Sequence, residues 1–201
     1  MAIDASLVKQ LRDKTGAGFM DCKKALVECE GDFEKSVDHL RAKGLALAAR
    51  KSEREASEGL VGAYIHGGNK IGVLLEVNCE TDFVARTEEF QALVKDLSMQ
   101  IAAASPRYVR REEVDEEELE REKAIYRQQA EELKKPEPVL AKIVDGKMER
   151  FYEEACLMEQ AFIKEPTRRV GDLVQDAVAR LGENIRVRRF VRYTVGEGMK
   201  E

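Results

Sequence analysis

Gly59-Leu60-Val61-Gly62-Ala63-Tyr64-Ile65-His66-Gly67-Gly68-Asn69-Lys70-Ile71-Gly72-Val73-Leu74-Leu75-Glu76-Val77 decides the fold class. Its apolar residues recur every second position, Val61, Ala63 and Ile65 on one side of a turn and Ile71, Val73, Leu75 and Val77 on the other. A period of two sends successive side chains to opposite faces of a strand. His66-Gly67-Gly68-Asn69 between the two runs is a hairpin turn, because Gly and Asn accept the positive φ that such turns need. Ile185, Val187, Val191, Tyr193 and Val195 alternate again near the C-terminus, with Arg189 the one polar intruder. Three antiparallel strands with one apolar face need helices to cover that face.

Outward from the hairpin the period becomes helical. Phe90, Val94, Leu97, Ile101 and Ala104 form one stripe, which Pro106 stops. Leu119, Tyr126, Ala130 and Leu133 mark a highly charged helix, supported by Glu117–Arg121 and Glu131–Lys135 at i,i+4. Pro136 and Pro138 break the chain before Leu140, Val144, Met148, Phe151, Ala155 and Met158. Gly146 within that run costs about 1 kcal/mol against Ala. Thr167 is placed to cap a last helix carrying Val170, Leu173, Val174, Ala177 and Leu181, with Gly182 as its stop.

Toward the N-terminus the pattern predicts three short helices. Leu7, Val8 and Leu11 form the first stripe, Cys22, Ala25, Leu26 and Cys29 the second, and Phe33, Val37 and Leu40 the third. Thr15-Gly16-Ala17-Gly18 separates the first two, while Gly31 ends the second and Asp32 caps the third. The expected fold is α+β, with a helical domain at residues 1–50 and a polar connector at 51–57. A sheet-and-helix core follows at 58–195, then a tail at 196–201.

Composition narrows the function by exclusion. The 201 residues carry a net charge of −5, which is the wrong overall sign for a nucleic-acid binder. The four cysteines, Cys22, Cys29, Cys79 and Cys156, form no CxxC pair, so neither a zinc site nor a disulfide framework is expected. Cys22 and Cys29 share a helix face and read as buried free thiols. Without a basic-plus-apolar leader or an apolar run near ~20 residues, the reading is a reducing, cytoplasmic protein.

Catalytic constellations are equally scarce. No GxxxxGK[ST] loop is present, and the glycines of residues 66–70 join two strands rather than open a helix. His39 and His66 fall in unrelated contexts, a helix and a hairpin, and read as a solvated and a turn-adjacent residue. The carboxylates between Glu112 and Glu122 form a solvated helix face. Arg186, Arg188 and Arg192 flank Phe190 on the second face of the last strand. That pattern suits RNA, but more commonly it is the wet face of an antiparallel sheet. No metal, cofactor or nucleotide site is expected, and the chain reads as an interaction protein rather than an enzyme.

Two long motifs carry the reading further. Leu11-Arg12-Asp13-Lys14-Thr15-Gly16-Ala17-Gly18-Phe19-Met20-Asp21-Cys22-Lys23-Lys24-Ala25-Leu26 resembles the N-terminal signature of the elongation factor Ts family. Glu76-Val77-Asn78-Cys79-Glu80-Thr81-Asp82-Phe83-Val84-Ala85 resembles its second signature. The likeness continues through Gly146-Lys147 and Phe151-Tyr152-Glu153-Glu154 to Val195-Gly196-Glu197.

The resemblance implies an N-terminal three-helix domain of the ubiquitin-associated type that docks on the GTPase domain of elongation factor Tu. It implies that Thr81, Asp82, Phe83 and Val84 intrude near the bound nucleotide and dislodge its magnesium ion, so that GDP leaves. The residues themselves leave an alternative open. Phe83 lies seven before Phe90, which suits the core face of one helix, and Thr81 and Asp82 suit its N-terminus. Arg12, Phe19, Met20 and Lys23 flank the glycine turn as partner-binding candidates. Phe19 and Met20 are adjacent, so at least one is expected at the surface. Longer members of the family carry a second hairpin subdomain and a C-terminal helical module, and this chain resembles the short form. Its lone hairpin, with an uncovered edge, points to a homodimer joined through the sheet region. The competing function is a ubiquitin-associated-type adaptor that binds another partner without driving exchange.

Overall fold

The computed structural model describes residues 3–134 and 136–198. The pairing expected between Glu131 and Lys135, and residues 199–201 of the tail, lie outside the described residues. In chain order come α1 (Ala5–Thr15), α2 (Phe19–Glu28), α3 (Phe33–Lys51), β1 (Glu58–Ile65), β2 (Ile71–Cys79), α4 (Asp82–Ala85) and α5 (Glu88–Ala104). Then follow α6 (Glu116–Glu131), α7 (Glu137–Ala155), β3 (Ala161–Phe162), β4 (Glu165–Arg169), α8 (Val170–Leu181) and β5 (Arg186–Thr194). Among the described residues, β1, β2 and β5 form one sheet in that spatial order, and β3 pairs with β4. The class is α+β, as expected.

Two compact units cut across the linear order. The first holds the chain up to Leu60 with Val77–Val94 and Asp172–Arg186. Local chemistry sets its first three helices. Asp4 caps α1 by accepting from Ser6 N–H, and Gly16, at φ +68°, ends that helix. Asp32 caps α3 by accepting from Lys35 N–H at 3.0 Å. Val8, Leu11, Cys22, Ala25, Leu26 and Leu40 form the cluster these helices enclose. The third helix is long rather than short, reaching Lys51. Cys22 is buried as expected, but Cys29 caps the end of α2 and is only half-buried.

The second unit holds Val61–Glu76, Lys95–Gly171 and the chain from Val187 onward. Its helical hairpin of α6 and α7 encloses Val114, Phe151, Ala155 and Cys156, with Tyr108, Leu119, Tyr126 and Met148 packed alongside. Leu133 falls beyond the end of α6 and is exposed. Thr167 does not cap a helix: it lies within β4, where Ala161 pairs with Arg169 and Phe162 with Glu165. A buried amide pair dictates this. Gln100 donates to Gln160 Oε1 (3.0 Å) and Ala161 O (3.2 Å), and accepts from Ile163 N–H (2.8 Å). Val170 N–H then donates to Gln160 O, so the helix starts only there. Buried amides must find partners, and this pair finds them in the small hairpin.

The sheet corrects the expected apolar face. His66 N–H donates to Ile71 O, and the Ile65 side chain lies over Gly72, so residue 65 sits opposite 72 and the pairing runs back from there. Val61, Ala63 and Ile65 therefore share a face with Leu74, whereas Val73, Leu75 and Val77 point the other way and are buried. The two apolar stripes of the hairpin occupy opposite faces because the turn length fixes the register. The last strand divides likewise. Ile185 and Val187 are buried, the alternation slips at the two exposed residues Arg188 and Arg189, and Val191, Tyr193 and Val195 emerge exposed. Arg189 meets Glu76 at 2.7 Å and Val195 N–H donates to Lys70 O, which sets β5 beside β2. Phe190 and Arg192 are half-buried, with Arg192 donating to Thr194 Oγ1, so no continuous basic-aromatic face survives.

Two glycines bracket what the backbone tolerates. Gly59 sits at φ +144°, and a Cβ there would stand 2.1 Å from Val77 O and 2.7 Å from Asn78 Cα. Gly59→Ala is expected to cost about 3 kcal/mol or more in urea denaturation, from backbone strain plus overpacking. Gly146, inside α7, has open space around its Cα. Gly146→Ala is expected to add about 0.5–1 kcal/mol in the same measurement.

Candidate partner-binding site

Both groups of candidate residues lie in the first compact unit. At the end of β2 the chain leaves the sheet and makes a single helical turn, α4. Thr81 caps it, its Oγ1 accepting from Val84 N–H at 3.4 Å. One turn does not continue into α5, because Thr87 interrupts it. The Thr87 hydroxyl donates to Val84 O at 2.7 Å and accepts from Phe90 N–H at 3.2 Å, closing one helix and opening the next. The seven-residue spacing of Phe83 and Phe90 thus does not make them neighbours on one helix. Phe90 is fully buried, while Phe83 is 89% exposed. The core-packing alternative for Phe83 is excluded; the capping role of Thr81 holds.

The turn is fixed from beneath as well as from its ends. Ala85 is buried and points inward, opposite the exposed ring. Asp82 pairs with Arg86 one turn on. The carboxylate of Glu183 accepts from Glu80 N–H (3.0 Å), Thr81 N–H (3.0 Å) and Thr81 Oγ1 (2.6 Å). The carboxylate of Glu80 in turn accepts from Asn184 N–H at 2.7 Å. Below this exchange the Cys79 thiol donates to Thr81 O at 3.2 Å. Burial first, and the Glu183 carboxylate second, push that thiol up to about 11, so it stays protonated at neutral pH.

The second group lines the glycine turn between α1 and α2. Arg12, Phe19, Met20 and Lys23 are all exposed, so both members of the adjacent apolar pair face solvent. Val27, seven after Met20 on α2, is exposed too and extends the same helical face. The sequence reading missed it, although its spacing from Met20 was the available signal. An apolar side chain left in water gains about 1.5–3 kcal/mol when a partner buries it, so these are candidates for contact. Arg180 packs its side chain against Gly16, holding the turn from the side of α8.

Among the described residues no group of three His, Cys, Asp or Glu is arranged to hold a metal ion. His39 pairs with Glu28 at 2.9 Å, and His66 meets the Tyr64 hydroxyl at 3.0 Å. The arrangement suits contact with another macromolecule: an exposed aromatic ring on a hydrogen-bonded turn, and an apolar, basic helix face.

The family model described as Elongation factor TS matches residues 6–197. This chain belongs to the elongation factor Ts family. It is 58% identical over 201 residues to an elongation factor Ts of Geobacter sulfurreducens, covering all of this chain and 93% of that protein. It is 59% identical to one of Geotalea uraniireducens and 58% to one of Syntrophomonas wolfei, over 99% of this chain in each case and 92% and 93% of theirs. As a member of the elongation factor Ts family it is a translation elongation factor, acting in protein biosynthesis.

In this family member the Phe83 ring has almost no packing to lose. Phe83→Ala is expected to change unfolding free energy by less than about 0.5 kcal/mol, against the ~3–5 kcal/mol of a buried Phe truncation. Thermal melting of the variant measures the difference directly.

Proposed function

We propose that this chain is the guanine-nucleotide exchange factor of elongation factor Tu, and that it performs no covalent chemistry of its own. The observation that carries the reading is Phe83, 89% exposed on a turn tied down on three sides. An exposed Phe on a mobile loop would be an ordinary surface residue. Held in a fixed direction beside Asp82, it is a wedge. Magnesium in the partner bridges phosphate oxygens to the GTPase, so displacing the groups around it removes a large electrostatic hold on GDP. Residues 1–50 act as the docking module, with Arg12, Phe19, Met20 and Lys23 in contact with the GTPase domain. Reciprocal coupling completes the cycle: if this chain weakens GDP binding by some factor, GDP weakens its binding equally. It therefore holds the nucleotide-free partner and leaves as GTP loads. The site of action is the cytoplasm, where translation elongation runs; no described helix is long and apolar enough to cross a membrane.

Fluorescent-GDP release from elongation factor Tu tests the reading. The intact chain is expected to accelerate release, and Phe83→Ala to slow the accelerated rate about tenfold or more, near 1.4 kcal/mol of lost coupling. Asp82→Ala acts in the same direction. Binding without acceleration would favour a passive adaptor.

The open sheet face supports a second proposal, a homodimer joined through the sheet. Val61, Ile65, Leu74, Val191, Tyr193 and Val195 are all exposed on the second unit. Contiguous apolar surface of this kind marks an interface, and a self-complementary face pairs most simply with a second copy. Sedimentation at micromolar concentration is expected to give about twice the monomer mass, and Tyr193→Glu to return the monomer. A monomer for the unmodified chain would overturn the dimer.

A further inference from the structure

The wedge is a single turn, too short to hold a helical shape or direction by its own hydrogen bonds. What aims it comes from a residue about a hundred positions later. Gly182, at φ +74°, ends α8 in the left-handed conformation and turns the chain back. The next residue, Glu183, lies outside both helix and strand and belongs to neither signature motif. Its carboxylate takes three donors from the base of the wedge: two successive backbone N–H groups, of Glu80 and Thr81, and the Thr81 hydroxyl. Three convergent donors on one carboxylate fix both the distance and the rotation of the peptide planes that lead into Asp82 and Phe83.

We propose that Glu183 is a positioning residue for exchange, setting the direction in which the Phe83 ring is presented; this rests on the wedge reading above. Its contribution is orientation rather than folding. Thr81 is exposed, so water takes over its donors when the carboxylate is lost, and the segment stays folded but turns more freely. A carboxylate is required because all three groups donate. Glu183→Gln keeps one acceptor oxygen and replaces the other with an NH2 group facing N–H donors.

The test is stopped-flow release of fluorescent GDP from elongation factor Tu, fitted for maximal rate and half-saturating concentration. Glu183→Gln is expected to lower the maximal rate about fivefold to tenfold while moving the half-saturating concentration less than about twofold, because the docking helices are untouched. Amide exchange at residues 80–84 should quicken. On a Phe83→Ala background there is no ring left to aim, so the same substitution should change the rate less than about twofold. A merely structural residue would lower the rate by the same factor on both backgrounds, and that result overturns the proposal. So does an unchanged maximal rate for Glu183→Gln when Phe83→Ala is slow. If Phe83→Ala itself exchanges at the normal rate, the wedge reading falls and the positioning role with it. Should Glu183→Gln fold poorly, Thr81→Val removes the hydroxyl from the other side of the contact. It must reproduce the loss of maximal rate, or the proposal fails.

Discussion

The first compact unit depends on the turn at Gly182, Glu183 and Asn184, whose buried polar anchors are Lys51 and Asn184. Lys51, buried at the end of α3, donates its ammonium to Gly182 O at the C-terminus of α8. A buried ammonium is tolerated only when paired, and a helix C-terminus is a favourable place for it. Asn184, also buried, donates its side-chain amide to Arg54 O at 2.7 Å and its backbone N–H to Glu80. Glu183 receives the N–H groups of Glu80 and Thr81 and the Thr81 hydroxyl. One turn thus joins the end of α3, the close of α8 and the exit of β2. For the buried members, Lys51 and Asn184, losing a partner costs more than the bond gains, whereas water can replace the exposed contact of Glu183 with Thr81.

Such a turn explains why the candidate site tolerates exposure. An exposed Phe has no packing to hold it, so its direction must come from the backbone that carries it. Here the backbone is held by Glu183 in front, by buried Ala85 below and by the Thr87 hydroxyl behind. Rigid presentation lowers the entropy lost on binding, and that saving is available whatever surface receives the ring. The glycine turn between α1 and α2 works likewise: Gly16 reverses the chain at φ +68°, and Phe19 and Met20 begin the next helix already facing outward.

The second unit solves a different problem. Its hairpin exposes Val61 and Ile65 while β2 buries Val73 and Leu75. Both stripes of the hairpin, Val61-Ala63-Ile65 and Val73-Leu75-Val77, are apolar enough to be buried, so register determines which one meets the core. The slip at Arg188 and Arg189 sends the end of β5 to the open face, adding Val191, Tyr193 and Val195 to it. Ion pairs such as Arg189 with Glu76 lie on that face as well, and a charge pair among apolar residues favours one alignment of any second surface over its neighbours.

By itself the sequence determined the class and most element positions, and family likeness named a candidate site. Period-two runs about a Gly-rich turn can only be a hairpin. Caps such as Asp32 and stops such as Gly16 and Gly182 act through neighbours within a few residues, so they are visible in one dimension. The long motifs around Gly16 and Thr81 named the candidate surface through family likeness, and Phe19, Met20 and Phe83 are exposed there. Tertiary structure decided the rest. Periodicity could not separate Phe83 from Phe90, because the Thr87 hydroxyl that divides α4 from α5 also suits a helix interior. Thr167 looked like a cap until the buried Gln100 and Gln160 claimed the backbone around it. Which stripe of the hairpin closes on the core depends on its pairing register, and where the last strand turns its face depends on pairing with β2 more than a hundred residues away. The contacts of Glu183 were illegible because a lone acid after a glycine has no local partner, and its three donors lie about a hundred positions earlier in the chain.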